Sequence, residues 1–407
     1  MKANRKIEIE SPAGNFEKMV FSLAYGADAV YFGGEMLNLR SNAGNFSIEQ
    51  IEKAVAYCRD RGVRPVFLLN SFLHEGDIEP ARQYLRSIRH IDFDSLMIAD
   101  PGMLALIREE GIKGELQLST QMSTLNHYAV KFWQQQGIKR IVLARETTLE
   151  EIRMIRQHTD AEIEIFAHGA LCIAYSGRCL LSRYFSGRDS NQGNCSQPCR
   201  WGFSLVEEKR RSDFFDIAEY SKGTEILSSK DLCLIDTLPA YVEAGVDAFK
   251  IEGRMKSVYH VANITRIYRD ALDTIQNGGD YQAKLPFWKE ELDLVSHRPF
   301  TNDLFNEFEN GFEPVSYINK AQYCGCYAGK TDMPDRSLVK ASNPIRPGDS
   351  FDVIYPLENG KFIDGSVTVI DITENGNPTD MARPDRICGI RFDTPLKEFG
   401  ILRKRTA

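Results

Sequence analysis

Eight short β-branched runs recur along the first two-thirds of the chain, each followed by a segment of helical spacing, and this alternation restricts the fold more than any other feature. The runs are KIEIESPAG, DAVYFGG, PVFLLNS, SLMIADPG, ELQLSTQ, RIVLARE, EIEIFAHG and AFKIEGRM. Between them lie segments such as SIEQIEKAVAYCRDRG, IEPARQYLRSIRHI and LEEIRMIRQHT, whose apolar residues return at helical intervals. Strands joined by crossover helices form parallel sheets covered by helices. Eight such units within residues 1–275 match a (β/α)8 barrel better than an open doubly wound sheet, which has fewer strands and a Gly-rich first turn. The sequence contains no G-x-G-x-x-G. The expected fold class is therefore α/β, a (β/α)8 TIM-like barrel.

Beyond about residue 275 the rhythm changes. A charged connector over 276–319, containing LPFWKEELDLVSHRPFTNDLF, leads to short alternating strands between Asn, Gly and Pro turns over 320–407. That pattern predicts a small all-β, barrel-like domain. With 43% hydrophobic and 26% charged positions, 407 residues suffice for one large core and one small one. MKANRKIEIESPAG has no apolar signal region, and nowhere do about 18 apolar residues run together, so the expectation is a cytoplasmic protein with no membrane segment. A net charge of -7 gives no global attraction to nucleic acid, so any RNA contact must come from a local patch.

Barrels of this kind place their chemistry at the C-terminal ends of the strands. Polar residues gather there: Glu10 and Ser11 after the first run, Asn70 after the third, Asp100 after the fourth, Ser119, Thr120 and Gln121 after the fifth, Arg145 and Glu146 after the sixth, His168 after the seventh, Glu252 and Arg254 after the eighth. Cysteines follow the same geometry. Cys172 and Cys179 lie just beyond the seventh run, Cys195 and Cys199 belong to a long insertion after it, and Cys233 starts the helix returning toward the eighth. Thiols in Gly- and Ser-rich loops are exposed enough to meet a metal, whereas Cys58, at apolar helical spacing, reads as a small buried hydrophobe. Nine cysteines in a reducing compartment make a poor disulfide framework and a better ligand set. Only Cys195-x3-Cys199 has zinc-like spacing; Cys172-x6-Cys179, then fifteen residues to Cys195 and thirty-seven more to Cys233, equally suits an iron–sulfur cluster reached from several loops. Spacing alone leaves the two metals nearly even.

The runs EIFAHGALCIAYSGRCLLS, NQGNCSQPCRW and KIEGRMKS, with YFGGEMLNLRSNAGNFS earlier, resemble the signature of the bacterial collagenase-like peptidase family of formerly unknown catalytic type. The resemblance covers nearly the whole chain, and within the family the chain is most similar to members that hydroxylate tRNA. It implies a (β/α)8 barrel carrying a [4Fe–4S] cluster on Cys172, Cys179, Cys195 and Cys233, with Cys199 able to replace Cys195. It also implies prephenate-dependent formation of 5-hydroxyuridine at the wobble position, with the tRNA anticodon region as substrate. A protein partner for electron supply is a separate expectation. Sister activities hydroxylate an rRNA cytidine or the ubiquinone ring, and older members carry a collagenase label.

A peptidase finds little support in the residues. The one His-Glu pair, His74-Glu75, has Ile78 where H-E-x-x-H needs histidine, and there is no G-x-S-x-G elbow. GCYAGKT is one residue short of a Walker loop and reads as a tight turn. If prephenate is required, its two carboxylates call for arginine forks, which lysine does not reproduce. Arg145 and Arg254 are the candidates at the reacting centre together with Glu252 and with His168 as a proton carrier; Arg40 and Arg183 are candidates for holding substrate. The plain alternative for each arginine is a surface salt bridge, and for His168 a packed strand-end residue. Lys209-Arg210-Arg211 and Arg403-Lys404-Arg405 are the basic runs available to RNA. A non-catalytic iron–sulfur accessory is the remaining reading.

Overall fold

The computed structural model describes residues 6–39, 44–172, 174–198, 218–220, 223–225, 230–302, 317–331, 333 and 335–406. The chain divides into two compact units, one built from residues 1–19, 28–255 and 298–317, the other from 20–27, 256–297 and 318–407.

In the first unit eight parallel strands close on themselves: β1 (Glu8–Pro12), β2 (Ala29–Gly33), β3 (Arg64–Leu69), β4 (Ser95–Ile98), β5 (Glu115–Leu118), β6 (Ile138–Val142), β7 (Glu162–Ala170) and β8 (Ala248–Ile251). Each pairs with the next along the chain, and β8 pairs with both β1 and β7, which completes the barrel. These are the eight runs legible in the sequence. The intervening helices form because their apolar residues share one face and their ends are capped. In Ile48–Arg59, Ile51, Ala54, Val55 and Cys58 are buried, and Ser47 with Gln50 makes a reciprocal capping box. Cys58 is the expected core residue: fully buried, with its thiol 3.7 Å from Met19 Sδ and pushed up to about 12 by burial.

One short element corrects the reading of the insertion. Cys233 does not begin a helix. It ends a strand, Asp231–Cys233, that runs antiparallel to the end of β7, with Cys233 opposite His168 and Leu232 opposite Gly169. Asp231, 2% exposed, is held by Arg298 at 2.8 Å, and Phe300–Thr301 pairs alongside. The helix comes later, at Leu238–Glu243.

The second unit is a seven-stranded antiparallel sheet in which Ser350–Ile354 pairs with both Ile401–Arg405 and Gly365–Glu374, closing it into a small barrel around Val339, Phe351, Val367, Val369, Ile390 and Leu402. Where the sequence reading carries the large barrel to 275 and a connector to 319, Val258–Gln276 groups with this second unit and the connector contains a further helix, Tyr281–Asp293. Buried polar bonds account for the grouping. Arg266 reaches Glu291 at 2.8 Å and Asp364 at 2.7 Å, and Trp288 donates to Asp270 at 2.9 Å. Among the described residues no helix is long and apolar enough to cross a membrane.

Candidate active site at the barrel mouth

Barrel interiors of this fold are usually filled by branched apolar side chains. This one holds charges. Lys250 on β8, 4% exposed, is bonded to Glu10 on β1, lies 3.2 Å from Glu164 on β7, sits 4.0 Å over the Tyr31 ring of β2 and meets Met97 of β4 at 3.9 Å. Partners on four other strands place its ammonium inside the barrel. Toward the strand starts, fully buried Arg140 binds Glu8 at 2.8 Å and Glu162 at 2.6 Å and lies 3.6 Å from Glu164. Burial first, and then the Glu164 charge, push the Glu10 carboxyl up to about 7 against the opposing pull of Lys250 and Arg140. Glu10 is therefore an interior residue and not part of the rim, and Lys250 is a charged centre that the sequence reading missed. Its signal was present: KIEIE, EIEIF and AFKIE alternate polar and apolar residues in strands expected to be apolar on both faces.

Above this layer Arg254 is buried, with Nη1 donating to Asn38 Oδ1 at 3.0 Å and Nη2 to Asn45 Oδ1 at 2.6 Å. Two amide oxygens fix the guanidinium plane. Gly33 permits it, since a Cβ there would lie 2.7 Å from the Asn38 carboxamide carbon and 2.9 Å from Nη2. Glu252 is half-buried, and its backbone N–H donates to the His168 carbonyl at 2.8 Å. This contact needs Gly169, whose φ is +111° and whose Cβ would come within 2.8 Å of the Glu252 carbonyl oxygen. His168 is 2% exposed, edge-on to Phe300 at 5.3 Å.

Arg145 lies 4.2 Å over the Phe166 ring and lines a cavity of about 300 Å³ with Thr147, Phe166, Leu171, Leu234 and Tyr241. Arg145 Nε and Thr147 Oγ1 are buried there without a hydrogen-bond partner among the described residues. Neighbouring Glu146 is satisfied, accepting from the N–H and hydroxyl of Ser176 at 2.6 and 2.5 Å. Other rim residues serve the scaffold: Asp100 caps Pro101–Glu109, and Asn70 and Ser119 both donate to Gln121. Arg183 is exposed and ion-paired with Asp189 at 3.2 Å, the surface arrangement that the sequence left open for it. Arg40 and Lys209–Arg211 lie outside the described residues.

Cys172 and Cys195 are half-buried, Cys179 and Cys233 buried, and all four are free thiols. The Cys179 thiol is pushed up by burial and by the nearby thiols of Cys172 and Cys195. Its carbonyl accepts from Ser190 at 2.6 Å and from Asn191 at 3.4 Å, which ties the first cysteine loop to the segment that brings Cys195. Three thiols are thus electrostatic neighbours, and the fourth stands beside the end of β7. Among the described residues no three His, Cys, Asp or Glu groups are arranged to hold a single metal ion. A donor set that is purely thiol is one that a zinc ion and an iron–sulfur cluster both accept. Cys199 lies outside the described residues. Cys324, Cys326 and Cys388 are buried in the second unit.

The C-terminal basic run is ion-paired within its own unit. Arg403 is 3% exposed and bound to Glu291 and Tyr259, Arg405 pairs with Glu290 and Asp352, and Lys404 lies 3.8 Å from Asp349. Each charge already faces a carboxylate within its own unit.

Residues 14–311 match peptidase family U32. The chain is 36% identical over 98% of its length to the tRNA hydroxylation protein P1 of Bacillus subtilis, covering 95% of that protein. It is 34% identical over 88% of its length to the 23S rRNA 5-hydroxycytidine C2501 synthase of Escherichia coli, covering 54% of it. A collagenase of Porphyromonas gingivalis is 33% identical, with 79% of each chain covered.

Proposed function

The chain belongs to peptidase family U32, and we propose that within it the protein hydroxylates tRNA. The substrate is the anticodon region, and the product 5-hydroxyuridine at the wobble position. What carries this reading is the similarity to a tRNA hydroxylation protein over 98% of the chain, and the pair of unpartnered buried donors, Arg145 Nε and Thr147 Oγ1, beside an apolar cavity offers a place for a small acid. A small unsaturated carboxylate such as prephenate would satisfy them, its ring lying against Phe166 and Tyr241. Arg254, held flat by Asn38 and Asn45, offers a second planar cation for the other carboxylate. Arg145 and Arg254 bind and orient the acid; the imidazole of His168 and the carboxylate of Glu252 are the groups available to carry protons.

Cys172, Cys179, Cys195 and Cys233 would hold a [4Fe–4S] cluster, which when bound supplies electron-transfer chemistry. A protein partner would supply the electrons. With tRNA as substrate, the place of work is the cytoplasm.

Cells blocked in prephenate synthesis and cells lacking this chain should lose the same wobble nucleosides, read by mass spectrometry of digested tRNA. Loss in the second strain alone removes prephenate from the account. One observation favours a peptidase: Cys233 and His168 are cross-strand neighbours, whose side chains share a face. If they form a nucleophile and base, Cys233→Ser should abolish cleavage of gelatin; no cleavage by the unaltered protein dismisses that reading.

A further inference from the structure

The insertion carries a face that neither the cysteines nor Arg145 and Arg254 use. Its short helix, Leu181–Ser186, is pinned from beneath by hydroxyls: Ser182 and Ser186 bond Ser196 at 3.0 and 2.7 Å, and the Ser196 N–H donates to Ser182 at 3.0 Å. The outward side is apolar. Tyr184 is 82% exposed, Leu180 74%, Tyr175 49% and Phe185 44%, and the rings of Tyr184 and Phe185 meet edge to face at 5.0 Å. Four large apolar side chains projecting from one short segment exceed the scattered exposure of ordinary surface. The same segment bears exposed Arg178, Arg183 and Arg188 against one carboxylate, Asp189, on a chain that is otherwise acidic.

We propose that this aromatic and arginine face is a docking platform for single-stranded RNA. The charge selects the partner: interleaved aromatics and guanidiniums stack unpaired bases and follow phosphates, a combination suited to a polyanion with exposed ring faces. Two of the arginines are already anchored. Arg178 Nε donates to the Gln121 carbonyl at 2.9 Å and Arg188 Nε to Asn194 at 2.8 Å, which fixes each stem while both residues stay exposed. The helix begins two residues after Cys179, so the platform adjoins the first cysteine loop along the chain. This rests on the RNA reading above and moves the holding of RNA from the C-terminal run, where carboxylates occupy the charges, to the insertion.

The test is fluorescence anisotropy of the full chain, purified without oxygen, with labelled tRNA, a single-stranded oligouridine and an RNA duplex. Tyr184→Ala should weaken binding of tRNA and oligouridine about 5- to 100-fold, the range of a lost base–aromatic stack, while Tyr184→Phe stays within about twofold. Arg188→Gln should lower the salt dependence of binding by about one phosphate contact. Duplex binding should be weak and equal in all three variants. Unchanged affinity of Tyr184→Ala for oligouridine overturns the platform, as does loss of self-association in that variant with RNA affinity intact, which would assign the face to a second copy. Hydroxylation that depends on the chain with normal activity of Tyr184→Ala sinks the platform and leaves the function standing. Platform variants that lose RNA while cells lacking the chain keep all hydroxylated nucleosides sink the function and leave the platform standing.

Discussion

Glu10→Gln tests the charged barrel interior. In the folded protein the Glu10 carboxyl, fully buried and facing Glu164, Lys250 and Arg140, is pushed from an ordinary 4.5 up to about 7. In the unfolded chain it ionises near its ordinary value. Between these limits the folded state keeps a proton that the unfolded state has lost, so stability falls as pH rises from about 4.5 to 7. Taken at ~1.4 kcal/mol per pH unit, the loss approaches ~3 kcal/mol. Glutamine keeps an oxygen for Lys250 and cannot ionise, and Glu164 still neutralises the ammonium. The variant should therefore gain ~2–3 kcal/mol on the unaltered protein between pH 5 and pH 8, with the difference smallest at the acid end. Hydrogen exchange of amides in β1, β7 and β8, corrected for intrinsic rate, reads the barrel apart from the second unit. Parallel pH profiles for the two proteins, or a difference that grows toward acid, would refute the reasoning.

Serine at Cys172, Cys179 or Cys233 should remove a cluster of about four iron and four sulfide per chain, while Cys58→Ser should keep it; relative iron loss in Cys195→Ser and Cys199→Ser identifies the fourth ligand. Arg254→Lys should lower hydroxylation at least ~10-fold at unchanged iron content, because an ammonium cannot lie flat between Asn38 and Asn45; full activity removes Arg254 from the site. Arg403→Ala removes one of the two arginine partners of buried Glu291, leaving Arg266, and should destabilise the second unit by ~1.5–3 kcal/mol in urea melts, with no selective loss of RNA affinity. Burial raises Glu291, but Arg403 and Arg266 hold it below the usual carboxylate range, so their contribution is present at neutral pH and fades as pH falls into the acid range; a melt insensitive to acid would contradict this.

The eight strands and the small β-barrel were legible because most strands announce themselves through β-branched residues and most helices through their period and caps; β5, ELQL, is read from its place in the alternation. What escaped has local causes. Asp231–Cys233 is three residues long and gains its strand character from pairing with β7, a partner far away in sequence. Val258–Gln276 has the period of a barrel helix, and only the bonds of Arg266 and Asp270 show which unit it joins. Arg403–Arg405 reads as a basic patch until its carboxylates, over fifty residues away or more, are brought alongside by the fold. At the site, Arg145 and Arg254 stand just beyond the ends of β6 and β8, as their sequence positions implied, while Cys233 ends a strand and does not open a helix. The interior trio of Glu10, Glu164 and Lys250 escaped, because Glu10 was assigned to the rim and the alternation in KIEIE, EIEIF and AFKIE, which marks the inside of the barrel, went unread.

The central claim is tested most directly by nucleoside mass spectrometry of separated tRNA and rRNA from cells lacking this chain, with and without the gene restored. The account predicts that 5-hydroxyuridine-derived wobble nucleosides vanish from tRNA, return on restoration, and leave rRNA unchanged. Intact tRNA together with a missing rRNA hydroxycytidine, or no change in either fraction, would contradict it.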